Sequence, residues 1–231
     1  MPMPMPMPMH RALAETPMKV ATVLVLAAAL ALVAGCANPE RARDLANPKI
    51  AAVTLAQQVC VNCHGANGNS ISPNFPKLAG QMAPYIVAQL NGFKSHDRHD
   101  PAGFEYMWGL SRSLTDDQIK GLADYYASQT MTAQSIEGDR RRLDAGKSIY
   151  TAGVAAAGVP ACAGCHGDRG QGMAAFPRIA GQHRDYLVKQ LVVFQRTEQR
   201  PDGAIMKTVA HALTQQNIDD VADYLQALPG Q

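Results

Sequence analysis

No feature of this chain restricts its fold more than two Cys-x-x-Cys-His motifs, Cys60 to His64 and Cys162 to His166. On one helical turn, residues three apart share a face, so both sulfurs reach the two vinyl groups on one side of a porphyrin while the adjacent imidazole turns beneath the iron. The pattern is the attachment signature of c-type haem, and two copies predict two covalently held groups. Cys60, Cys63, Cys162 and Cys165 are the expected attachment points; His64 and His166 are the expected iron ligands. Rival chemistries fit less well. A thioredoxin-like dithiol needs a βαβ setting, and the runs Leu45 to Ile50 and Ala51 to Gln58 carry no β-branched strand pattern. A structural zinc site needs four ligands in one small module, and each motif offers three. A disulfide across so short a loop is geometrically awkward.

The remaining cysteine, Cys36, closes a leader over residues 1–36. Met1 to Met9 alternates Met and Pro, a low-complexity stretch that can form no apolar face. Met18-Lys19 followed by the apolar run Val20 to Val33 reads as an export signal, which makes Met18 the expected start. At helical rise the run spans about 20 Å, short of a hydrocarbon core of roughly 30 Å, so cleavage is expected rather than spanning. Val33-Ala34-Gly35-Cys36 resembles a bacterial lipobox, which implies lipidation of Cys36 and a membrane anchor. The alternative is an ordinary signal peptide with an incidental cysteine, whose free thiol would be a reactive liability outside the cell. The expected location is the bacterial periplasm, anchored as a lipoprotein. A formal charge of +2 gives no footprint for nucleic acid.

An internal repeat sets the domain count. Phe75-Pro76-Lys77-Leu78-Ala79-Gly80-Gln81 returns 101 residues later as Phe176-Pro177-Arg178-Ile179-Ala180-Gly181-Gln182. Tyr85, Gln89, Leu90 and Phe93 correspond to Tyr186, Gln190, Leu191 and Phe194. Leu114-Thr115 and Ala123-Asp124-Tyr125 correspond to Leu213-Thr214 and Ala222-Asp223-Tyr224, with the intervening loop two residues shorter in the second copy. Self-similarity on this scale marks a duplicated domain, since solenoid periods are shorter. The organisation expected is a first domain over 46–134, a linker over 135–143 containing Arg140-Arg141-Arg142, and a second domain over 144–231. Ile86, Leu90 and Phe93 recur at helical spacing, as do Leu187, Leu191 and Phe194. Thr115-x-x-Gln118 is a capping box, and its counterpart opens at Thr214 with Asn217 in place of Glu or Gln. The fold class is therefore all-α. Domains this small bury modest cores, so haem is expected to supply the missing interior and the apoprotein to fold poorly.

The sixth iron ligand decides between electron transfer and oxygen or peroxide chemistry. Candidates after the first motif are Met82, His96, His99, Met107 and Met131; after the second they are Met173, His183, Met206 and His211. Met107 stands seven residues before Leu114 and Met206 seven before Leu213, so these two occupy one place in both copies. They are the expected axial ligands. Met82 matches His183, and the other histidines have no matched partner. The competing reading of each methionine is core packing.

The paired motifs, the Phe-Pro-x-Leu/Ile-Ala-Gly-Gln repeat, a loop methionine and Leu-Thr before an Ala-Asp-Tyr helix together resemble the dihaem cytochrome c4 family. The resemblance covers nearly all of 46–231. It implies two tandem class I cytochrome c domains facing each other about a pseudo-twofold axis, with propionates near their interface and His/Met ligation of both irons. It also implies that the carbonyls of Pro76 and Pro177 accept from the histidines, the alternative being that these prolines only stiffen a turn; Lys77 and Arg178 beside them are read either as propionate partners or as solvated surface cations. The function implied is outer-sphere electron transfer, with no small-molecule substrate, from quinol-linked donors to a terminal oxidase. A cytochrome subunit of a flavoprotein dehydrogenase is the alternative, followed by a dihaem peroxidase.

Overall fold

Helix-forming runs in this chain are separated by Gly and Pro breakers, and the backbone follows that punctuation. The computed structural model describes residues 43–132 and 139–229. Cys36, the leader and part of the expected linker lie outside the described residues. In the first half, α1 (Ala52–Leu55) passes through a π-helical turn, Ala56–Cys60, into α2 (Val61–His64). Helices α3 (Ala83–Ser95), α4 (Pro101–Ser111) and α5 (Asp116–Ala127) follow. The second half comprises α6 (Arg140–Ala152), α7 (Ala163–His166), α8 (Arg184–Arg196), α9 (Ala204–Ala210) and α10 (Gln215–Ala227). Among the described residues, extended pairing is limited to the isolated bridges Val154 with Val159 and Met173 with Phe176. No helix of the described residues is long and apolar enough to cross a membrane.

The copies differ in how the chain reaches each motif. In the first, the widened π-turn carries the helix directly onto Cys60. In the second, α6 stops at Gly153, whose φ is +74°, and a 3₁₀ turn over Ala155–Ala157 precedes α7. Both capping boxes close. Thr115 Oγ1 accepts from Gln118 N and Thr214 Oγ1 from Asn217 N, each at 3.2 Å, while the Gln118 and Asn217 side chains accept from the capping residues' own N–H groups. Asn217 thus performs the role that the longer glutamine performs in the first copy.

Each half owns a core. Leu55, Ile86, Leu114, Ile119, Leu122 and Tyr126 bury together in the first. Ile149, Tyr150, Leu187, Leu213, Ile218, Val221 and Leu225 do so in the second. Burying each large side chain contributes about 1.5–3 kcal/mol. The motif cysteines Cys60 and Cys162 pack against these clusters, so the motifs are tied to the cores.

Arg140, Arg141 and Arg142, expected in the linker, form the first turn of α6, where Arg140 and Arg141 stay exposed. The Asp139 side chain caps that turn by accepting from Arg141 N at 3.0 Å, and Arg142 pairs with Asp220 and Asp223 of α10 at 3.1 and 2.8 Å. The crossing of α6 with α10 is close: a Cβ added at Gly146 would lie 2.0 Å from the Asp220 carbonyl oxygen. Gly146→Ala should therefore destabilise the holoprotein by about 3 kcal/mol, lowering the thermal midpoint by roughly 10 °C. Unfolding followed by circular dichroism checks this, and an unchanged midpoint would refute the tight crossing.

Candidate haem sites

Both motif histidines end a helix and turn inward. His64 and His166 are buried at the last positions of α2 and α7. The Nδ1–H of His64 donates to the Pro76 carbonyl at 2.9 Å, and that of His166 to Pro177 at the same distance. These bonds fix the tautomer and leave Nε2 as the free lone pair. Burial pushes both imidazoles below the ordinary histidine range, partly offset by the proline carbonyls, so each is held neutral, the form that binds a metal. Phe75 and Phe176 meet the rings edge-on, with centroids 6.3 and 6.4 Å away.

Cys60, Cys63, Cys162 and Cys165 form no disulfide. Burial raises the Cys60 thiol above its usual range and pushes Cys162 up to about 11.

In the first half the expected ligands converge. Cys60, Cys63, His64 and Met107 line one apolar cavity, walled by leucines including Leu90 and Leu122. Two sulfurs for thioether bonds, an imidazole and a methionine sulfur around an apolar space are the donor set that a c-type haem requires. Met107 lies within α4, and Met206 sits half-buried at the matching place in α9, so both expected loop methionines are helical. Pro101 starts α4 at a position where its missing N–H costs nothing, and no breaker follows strongly enough to stop the helix before Ser111.

Three of the other ligand candidates, His96, His183 and Met131, are engaged elsewhere. His96 packs against Phe104 and Trp108 at 5.4 and 4.7 Å between centroids. His183 Nε2 meets the Ser70 carbonyl at 2.9 Å. Met131 is buried against Gly181 of the second half, and Met173 is exposed.

The repeat's two glutamines have roles that sequence alone does not assign. Gln182 Oε1 accepts from Lys77 N at 2.8 Å while its Nε2 donates to Lys77 O at 2.9 Å. Gln81 does the same to Arg178, at 2.7 and 2.9 Å. Each amide therefore clasps the other half's peptide next to the proline that orients the histidine. The heptapeptide repeat was the available signal; only the fold shows that the contact is crossed.

Lys77 and Arg178 are buried, and burial lowers both cations below their usual ranges. Lys77 Nζ donates to Thr132 O at 2.9 Å. Arg178 Nε and Nη2 are buried without a partner among the described residues. An unsatisfied guanidinium beside the histidine's acceptor fits an anionic group such as a haem propionate.

Comparison with known proteins gives a consistent picture. A sequence profile described as cytochrome c matches residues 51–130 and 143–229. The chain is 38% identical over 179 residues to cytochrome c4 of Azotobacter vinelandii, covering 74% of this chain and 84% of that one. The solved structure of Acidithiobacillus ferrooxidans cytochrome c4 matches with a TM-score of 0.68 and 38% identity, covering 73% of this chain and 98% of its own. The thiosulfate dehydrogenase electron acceptor of Thiomonas intermedia is 30% identical over 182 residues, or 74% of this chain and 78% of that protein.

Proposed function

Because the chain belongs to the dihaem cytochrome c4 family, we propose that it is a periplasmic electron carrier taking electrons from quinol-linked donors and delivering them to a terminal oxidase or similar acceptor. It is an electron-transfer protein rather than an enzyme, and it carries two covalently attached haem c groups. The observation that carries the reading is the convergence of Cys60, Cys63, His64 and Met107 on one apolar cavity. Bound haem supplies reversible one-electron oxidation and reduction of iron. Everything else is done by the chain. Cys60 and Cys63, and Cys162 and Cys165, would tether the two groups, and His64 with Met107 and His166 with Met206 would hold the irons. The carbonyls of Pro76 and Pro177 hold the imidazoles in one orientation, and Arg178 supplies unpaired donors to a propionate. Leucine walls exclude water and keep the sites in a low-dielectric setting, which favours a rigid coordination shell. Cys36 is proposed as the lipidated anchor that holds the carrier at a membrane, on the strength of the preceding small residues.

A second reading has its own support. Similarity to the Thiomonas thiosulfate dehydrogenase electron acceptor favours service as the cytochrome partner of a periplasmic dehydrogenase. Both readings share the same sites and differ only in the donor.

A redox titration of the purified holoprotein with spectra tests the proposal. Two one-electron steps should appear, with a sulfur-to-iron charge-transfer band from both ferric haems. A ferric haem without that band that readily binds azide would overturn the carrier reading in favour of peroxide chemistry.

A further inference from the structure

The segments leading into the two methionine-bearing helices meet at a buried, crossed network. Arg98 lies just before α4, and Arg200 lies just before the 3₁₀ turn that enters α9. Both are buried, as are Asp100, Gln89 and Gln190. Gln89 is on α3 and Gln190 on α8, each one helical turn after Tyr85 or Tyr186. The repeat matches these tyrosines and glutamines, and the haem sites leave them unexplained.

The bonds cross between halves. Arg200 Nη2 donates to Gln89 Oε1 at 2.7 Å and to the Tyr85 hydroxyl at 3.2 Å, both in the first half. Its Nη1 donates to Gln190 Oε1 of its own half at 2.6 Å. Arg98 donates to Gln89 Oε1 of its own half at 2.6 Å and reaches Gln190 Oε1 of the second half at 3.5 Å. The glutamine amides return the exchange: Gln89 Nε2 donates to Asp202 at 2.5 Å, and Gln190 Nε2 to Asp100 at 3.4 Å. Even the backbone crosses, with His99 N–H donating to Gln199 O at 3.0 Å.

Two guanidiniums share the Gln89 oxygen, and each stacks on a phenylalanine of its own half, Phe93 or Phe194, at 4.3 and 4.6 Å. Burying charges of like sign together is costly, and well-packed apolar side chains would stabilise the interface at least as well. What such a network supplies is registry. Asp100 pairs with Arg98 at 2.8 Å and is also the residue that opens α4, so the position of Met107 follows from where these groups settle.

We propose that Tyr85 is a crossed positioning residue: it holds Arg200, which sets the methionine helix of the opposite half, so the strength of Met206 ligation depends on the first half. The proposal rests on Met107 and Met206 as the axial ligands. The test uses the holoprotein with Tyr85→Phe, which removes one hydroxyl and keeps the ring. Imidazole is titrated against the ferric protein, and displacement of each methionine is followed by its paramagnetically shifted methyl proton resonance, assigned through Met107→Ala and Met206→Ala. Tyr85→Phe should lower the imidazole concentration that displaces Met206 by about fivefold, the factor carried by one net hydrogen bond, and leave Met107 nearly unmoved. Loosening confined to the mutated half, or no change at either methionine, would overturn the proposal, even if the thermal midpoint falls. Absence of shifted methyl signals in the unmutated holoprotein would instead overturn the axial assignment, and the crossed coupling with it.

Discussion

Met107→Ala holoprotein should lose the sulfur-to-iron charge-transfer band of one haem and retain that of the other. The thioether of Met107 shares a cavity with His64 and the two attachment cysteines, and alanine there leaves the opposite face of the iron without a protein ligand. Methionine favours ferrous iron relative to harder donors. Its loss should lower that potential by roughly 0.2 V, a fraction of the range of about 0.8 V that axial ligands span. The same iron should acquire affinity for carbon monoxide when reduced and for azide when oxidised. Spectroelectrochemistry resolves the two centres, and Met206→Ala should produce the mirror result. Retention of both bands in Met107→Ala would remove this methionine from the coordination sphere.

Blocking covalent attachment should have a larger effect on folding than any single substitution. A chain carrying Cys60→Ala, Cys63→Ala, Cys162→Ala and Cys165→Ala, expressed in an exporting host, should show weak helical circular dichroism and no cooperative unfolding transition. Each half has one modest aliphatic cluster, and Cys60 and Cys162 stand at the margins of those clusters, where the macrocycle would complete them. An unfilled space of porphyrin size forfeits upward of about 5 kcal/mol, comparable with the whole stability of a small domain. The buried, unpaired Arg178 guanidinium adds a further penalty when no anion reaches it. A sharp thermal transition in the tetra-alanine chain would show that the helices pack without the cofactor.

Much of this architecture is legible in residue spacing. The Cys-x-x-Cys-His motifs announce the cofactor because geometry permits few uses for two thiols and an imidazole at that interval. The capping box at Thr115 and the apolar spacing of Ile86, Leu90 and Phe93 place α5 and α3, since both depend on neighbours within one or two turns. Other features depend on partners distant in sequence. Arg142 reads as a solvated charge until Asp220 and Asp223 are brought beside it. The methionines read as loop residues because Gly103 and Gly109 dilute the helical signal around Met107, and tertiary packing overrides that weakness. Arg98 stands out in the sequence only for its unusual neighbours, His96, Asp97 and His99. Its relation to Arg200 rests on an Arg-x-Asp pair embedded in dissimilar segments, a signal too short to detect before the halves are seen together.

The glutamine clasps of Gln81 and Gln182 grip only peptide groups, the N–H and C=O of Arg178 and Lys77. A seam built this way is blind to the identity of the residue it holds. The join therefore fixes the backbone at positions 77 and 178 and leaves the two buried cationic side chains to be set by what they meet on the haem side.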